Sequence, residues 1–306
     1  MQASSIRHLA ITDESSIVAA ALVEKTVQIW SWKSGQQLGE FNTMLDFGGR
    51  RLALTPDGTV CIVGAWGQRG RGPRGLAAYS VPDGRLLWNR KEIRHIQYVR
   101  LSGSGREIYC GVEGSSAQIV DTGTGQTLRK VRGARRIWGS QYTAHQLIMQ
   151  EGPCYLVRGQ SEFEIHPLSF ALHAAAFSPD ALCVSEPENF LHPNEQVGGI
   201  RMIDLKSGEV LRHLDRGANE LAYNSSDSCF YGVTALDTDT GRCHQLIRFG
   251  GTNQLCEDVA LLDQGWAFAF SPSGKVLATA KGDVLETSTA ALLMHLDFPQ
   301  KVYPDH

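Results

Sequence analysis

The chain has 306 residues, 42% of hydrophobic types and 20% charged, with 32 glycines. That apolar content is ordinary for a soluble globular protein and excludes both disorder and a collagen-like repeat. The longest unbroken apolar stretch, Ile17 to Val23, is far short of the ~20 residues of a membrane helix, and MQASSIRHLAITDESS carries no charged leader before an apolar block, so no signal peptide is read there.

Net charge is only −3, but it is unevenly spread. Residues 1–50 hold 4 basic and 5 acidic side chains, residues 51–150 hold 15 and 6, and residues 151–306 hold 10 and 21. Such asymmetry bears on partners and steering, not on fold. The seven cysteines are odd in number and none are spaced C-x-x-C. With no export signal read, they are expected to be reduced, and the protein cytoplasmic. Cys61, Cys110, Cys183 and Cys229 lie in apolar runs, where a thiol behaves as a small hydrophobe.

In chain order, one phrase recurs: an alternating apolar run, a tight turn and a second apolar run. It is read in HLAITDESSIVAAALV (8–23), RRLALTPDGTVCIVG (50–64), YVRLSGSGREIYCGV (98–112) and SQYTAHQLIMQ (140–150). It returns in HAAAFSPDALCVS (173–185), ELAYNSSDSCFYGV (220–233) and WAFAFSPSGKVLATA (266–280). The first turn residues read as Thr12, Thr55, Ser102, Thr143, Ser178, Asn224 and Ser271, a mean spacing near 43 residues. A second hairpin phrase follows in most copies: VQIWSWKSGQQLGEF (27–41), GLAAYSVPDGRLLWN (75–89), AQIVDTGTGQTLRKV (117–131) and IRMIDLKSGEVLRHL (200–214). Two hairpins per repeat give four antiparallel strands, a to d, and a period of 40–45 residues is that of propeller blades. No long segment keeps a helical apolar period, so helices should be nearly absent.

Phe177-Ser178-Pro179-Asp180 and Phe270-Ser271-Pro272-Ser273-Gly274 closely match the a–b turn of WD40-type β-propellers, which the chain resembles over most of its length. Ile29-Trp30, Asp121 and Asp204 sit where that family often has its Trp-Asp pair. No Trp-Asp or Gly-His dipeptide occurs, so the family's buried hydrogen-bond network is not expected. The stretch at 78–88 also resembles a quinoprotein-type blade. The expected fold is all-β, a single domain forming a seven-bladed β-propeller over 1–306, with blades at approximately 6–43, 46–93, 95–133, 136–170, 172–217, 218–262 and 263–298. Since the chain begins at a strand a, closure should come from face-to-face packing of blades seven and one, unless residues 299–306 contribute.

In a four-stranded meander the b–c turns and d–a crossovers share one rim. Here that rim gathers Trp66, Arg69, Arg71 and Arg74 from the second b–c loop, and Arg90, Lys91 and Arg94 from the next crossover. Lys130, Arg132, Arg135, Arg136 and Trp138 join them from the crossover between the third and fourth repeats. Arginine and tryptophan are enriched at interface hot spots, and eight arginines against two lysines suit bidentate recognition of carboxylate or phosphate. Glu186, Glu188 and Glu195 in a later b–c loop form an acidic counterpart.

Local motifs for chemistry are weak. Gly70-Arg71-Gly72-Pro73-Arg74-Gly75 satisfies G-x-G-x-x-G, but a strand should follow it where a dinucleotide site needs a helix. Asp237-Thr238-Asp239-Thr240-Gly241 reads as a turn rather than half a calcium loop. No H-E-x-x-H, nucleophile elbow or phosphate loop occurs, so neither cofactor nor metal is expected. The sequence reads as a non-catalytic platform for another protein with an acidic surface, a class that includes stoichiometric inhibitors. A nucleic-acid-binding module is the weaker alternative, since the acidic sector would repel a long polyanion. A pore-centred hydrolase or isomerase is the other. No membrane association is expected, and the partner's identity, the oligomeric state and any pore ligand stay unread.

Overall fold

Each sheet begins with the same small device. In the computed structural model, the oxygen of the first turn residue accepts a main-chain amide from across its own a–b turn. Thr12 Oγ1 takes the Ile17 amide at 3.1 Å, Thr55 that of Val60 at 3.0 Å, and Ser102 that of Glu107 at 3.1 Å. Ser178 takes Ala181 at 2.8 Å and Ser271 takes Val276 at 3.2 Å, while Asn224 Oδ1 accepts from Ser226 at 2.9 Å. Short polar side chains stabilise turns in this way, so the repeat legible in the sequence is a repeat of turn chemistry. In the fourth copy the residue in this role is Ser140, whose Oγ accepts from Tyr142 and Thr143. The expected assignment to Thr143 is therefore three residues late, and the fourth sheet starts at Ala134 rather than near 136.

The structure describes residues 6–22, 25–43, 52–65, 75–93, 95–112, 116–143, 145–150, 154–158, 161–165, 172, 174–186, 199–238, 241–250, 256–262 and 267–298. Among them every helix or strand is a strand, and no helix is long and apolar enough to cross a membrane. The first sheet holds β1 (Ile6–Ile11), β2 (Ile17–Leu22), β3 (Thr26–Ser31) and β4 (Gln37–Asn42), and the second β5 (Leu52–Leu54), β6 (Val60–Ala65), β7 (Gly75–Ser80) and β8 (Leu86–Arg90). The third holds β9 (Ile96–Leu101), β10 (Glu107–Val112), β11 (Ala117–Asp121) and β12 (Thr127–Val131). The fourth holds β13 (Ala134–Gly139), β14 (His145–Gln150), β15 (Cys154–Arg158) and β16 (Ser161–Ile165). The fifth holds β17 (Ala174–Phe177), β18 (Ala181–Glu186), β19 (Gly199–Asp204) and β20 (Val210–Leu214). The sixth holds β21 (Glu220–Asn224), β22 (Cys229–Thr238), β23 (Gly241–Phe249) and β24 (Glu257–Leu262), and the last β25 (Phe268–Phe270), β26 (Val276–Thr279), β27 (Asp283–Glu286) and β28 (Leu292–His295). Each sheet is an antiparallel meander in chain order, and the sheets are set in a propeller arrangement.

The strand pattern follows from burial on both faces. Strand b of the first sheet, IVAAAL, and strand b of the fifth, ALCVSE, are buried almost throughout, whereas the outer strands β8, β12 and β20 are largely exposed. Buried apolar side chains of the described residues gather between neighbouring sheets, for example Ile62, Leu76, Ile96 and Ile108 between the second and third. The join of last to first is of the same kind. Ile6, Leu9, Val18 and Ala20 pack on Val276, Ala278, Val284 and Leu296, with Trp30 edge-on to Phe298 at 5.8 Å. Asp13 clasps this join, accepting from the Ser273 amide at 2.9 Å and its hydroxyl at 2.7 Å. Closure is thus face to face, and each of the two sheets is built entirely from its own end of the chain; residues 299–306 lie outside the described residues.

The second hairpins of the second, third and fifth sheets turn on a glycine instead. The amides of Gly84, Gly125 and Gly208 donate back to the carbonyls of Ser80, Asp121 and Asp204. Hydrogen bonds from the Thr124 hydroxyl and amide hold the Asp121 carboxyl below its usual range, and amide bonds from Ser207 and Lys206 do the same for Asp204. These aspartates, which the resemblance places at the Trp-Asp position, act here as turn caps. Gly125 has φ +72°, and a Cβ there would lie 2.7 Å from the Trp88 ring of the preceding sheet. The four cysteines assigned to apolar runs are buried and form no disulfide, and burial pushes the Cys183 thiol well up.

Two variants test this account. Asp13→Ala should lower stability by about 1–3 kcal/mol by removing charge-assisted bonds at the join, read from the urea midpoint. Gly125→Ala should cost at least ~1 kcal/mol, from the positive φ and the clash with Trp88 together, read the same way against Gly208→Ala, which has a similar φ and open space around it.

Candidate functional site: the channel and its rim

The inner strands enclose a channel of about 590 Å³. Its wall at one level is set by the residue two positions before each turn residue: Ala10, Ala53, Arg100, Trp138, Ala176, Ala222 and Ala269, all of which line it. Five alanines leave space, and Arg100 fills part of it. Arg100 reaches toward Glu220 of the sixth sheet, three sheets away around the ring, with Nη2 3.6 Å from the carboxylate. Trp138 is 4% exposed, stacks on Tyr98 at 6.4 Å, and its Nε1–H has no hydrogen-bond partner among the described residues. Arg7, His8, Asn219 and His244 also line the channel.

At the a–b end the fourth sheet's turn crosses the channel. Gln141 Nε2 donates to the Pro272 carbonyl of the last sheet, and the Tyr142 hydroxyl donates to the Tyr223 carbonyl at 3.3 Å. Gly103 of the third sheet permits this, since a Cβ there would lie 2.4 Å from the Gln141 Cα. The turn that departs most from the repeat thus forms a floor. Of these channel residues only Trp138 stood out in the sequence, and there as an interface residue of the rim. The available signal was an arginine two residues before its turn, where five other copies carry alanine.

The predicted basic sector is partly rearranged. Lys91, Lys130, Arg132 and Arg135 are exposed, the last three around the crossover from β12 to β13. Arg90 instead bonds Glu92 and the Gly125 carbonyl in the next sheet's c–d turn, and Arg136 donates to the buried carbonyl of Leu172. Trp138 is core, because its strand position faces the fifth sheet, where it packs with Leu147, Phe177 and Leu182. Trp66, Arg69, Arg71, Arg74 and Arg94 lie outside the described residues, although β7 does begin at Gly75 as a strand. In the acidic sector Glu186 is buried and paired with Arg201 at 3.1 Å, so it is a brace at the base of its loop rather than open surface. Glu188 and Glu195 lie outside the described residues. Asp237 and Thr238 pair in register with Arg242 and Gly241 near the end of a long hairpin, as the turn reading requires. No cluster of three or more metal-ligating side chains occurs among the described residues.

No protein-family model matches the sequence, and no curated protein does either. Solved structures are similar in fold at low identity. A hydrazine synthase of Kuenenia stuttgartiensis aligns with TM-score 0.67 and 14% identity over 94% of this chain and 97% of that one. A chain of a mitotic checkpoint complex gives 0.67 and 14% over 91% and 88%, and U3-55K gives 0.64 and 12% over 90% and 88%. These likenesses establish a β-propeller.

The division of the rim has a direct consequence. Arg136→Glu should destabilise the protein by about 1–3 kcal/mol, because it removes a donor to a buried carbonyl, whereas Arg132→Glu and Arg135→Glu should stay within about 0.5 kcal/mol. Urea denaturation of the three single variants separates them.

Proposed function

We propose that the protein is a non-catalytic binding platform: one domain, a seven-bladed ring, acting in the cytoplasm and holding an acidic surface of another protein on the rim of its d–a crossovers. The observation that carries this reading is the exposure of Arg132 and Arg135 beside Lys130 at one crossover, while neighbouring basic side chains are spent on internal bonds. Seven four-stranded sheets whose inner strands follow one another in chain order, with β25 beside β1, support the ring. Exposed arginines suit carboxylate recognition across an interface. A neighbour in fold that belongs to a mitotic checkpoint complex is in keeping with a protein partner, whereas the hydrazine synthase neighbour shows that fold alone does not choose between binding and catalysis. Occupying the partner's acidic surface one to one would make this protein its stoichiometric inhibitor.

The test is affinity capture from native lysate with the wild type and with Arg132→Glu/Arg135→Glu, read by mass spectrometry. The double variant should lose the wild type's main protein partner by at least tenfold while keeping its urea midpoint. Arg136 is left intact because its reversal confounds binding with folding. Undiminished capture by the double variant would sink the basic-rim reading. So would a nuclease-sensitive capture that weakens ~10³–10⁵-fold between 50 and 200 mM salt, the mark of a polyanion.

A further inference from the structure

We propose that the channel is a binding site for a small organic carboxylate, held by the Arg100 guanidinium above the Gln141–Tyr142 floor. The inference starts from shape. Five alanines at one level of the wall keep open a cavity of about 590 Å³, within the ~300–1,000 Å³ range of small-ligand sites. A crossing turn held by Gln141 and Tyr142 gives that cavity a floor.

The chemistry of the lining then selects the ligand. Among the described residues the channel carries two arginines, Arg7 and Arg100, against one carboxylate, Glu220. A donor-rich, positively biased cavity takes an acceptor-rich anion. The wall already shows what Arg100 binds: a carboxylate meets its guanidinium across the open channel at 3.6 Å. A ligand carboxylate can take that place with the fork geometry that guanidinium favours, leaving the Glu220 side chain as its competitor. Ligand entry would be from the crossover end, opposite the floor.

The competition between ligand and Glu220 makes the proposal testable on the full chain by isothermal calorimetry with acetate, succinate and citrate, and with succinamide as the uncharged counterpart of succinate. At least one carboxylate should bind saturably and one to one, and succinamide should not. Arg100→Gln should weaken that binding at least tenfold. Glu220→Gln, which removes the internal competitor, should tighten it severalfold, a gain that damage to the fold would not produce. Circular dichroism and melting curves check that each variant folds, and if Arg100→Gln does not, Glu220→Gln decides alone. Absence of saturable binding by all three carboxylates, or an affinity that Glu220→Gln leaves unchanged or weakens, overturns the proposal. The Arg132→Glu/Arg135→Glu variant should bind the probe as wild type does, so loss of the partner surface and loss of the channel site can be told apart.

Discussion

A β-sheet with apolar side chains on both faces has no stable existence alone, and that constraint governs this molecule. Each sheet here can bury its two faces only against two neighbours, so removal of any one would expose two others. The arrangement becomes satisfiable when the last sheet meets the first. Ile6, Leu9 and Val18 on one side and Val276, Ala278 and Leu296 on the other supply that meeting with the same kind of packing found between the other sheets. The channel is a by-product of it. Inner strands held apart by sheet packing cannot collapse onto one another, so small residues such as Ala176 and Ala222 can face open space without a cavity opening in the core.

Strand content and repeat were legible because they rest on local chemistry. A Ser, Thr or Asn oxygen accepting a nearby amide needs only the few residues around the turn, and the alternation of apolar residues needs only the strand itself. The fourth turn was misplaced for the same reason: Ser140 and Thr143 both have hydroxyls, and nothing local says which accepts the amides. Arg100 and Glu220 were invisible because they are 120 residues apart in sequence and meet only across a closed ring. Trp138 misled because a tryptophan next to arginines looks like an interface anchor until its strand position shows it facing the next sheet.

Charge behaved in an instructive way. A run of basic residues in sequence is a list of candidates, and the structure sorts them by what each guanidinium already does. Arg90 ties one sheet to the turn of the next, Arg136 satisfies a buried carbonyl, Arg201 neutralises Glu186, and Arg132 and Arg135 remain at the surface. An arginine holding two parts of the protein together is poorly available to hold a third. The useful quantity for recognition is therefore the exposed remainder rather than the count.

The join between the first and last sheets has one further consequence, which concerns chain entropy. Adjacent sheets meet through a loop of about 45 residues, but Asp13 and Ser273 are 260 residues apart. Because the entropy of loop closure grows only with the logarithm of length, the longer loop costs about 1.6 kcal/mol more. A pair of charge-assisted hydrogen bonds is of the same order. Asp13 thus offsets the statistical handicap of being the most distant contact, and puts the seam on nearly equal terms with joints that the chain makes between near neighbours.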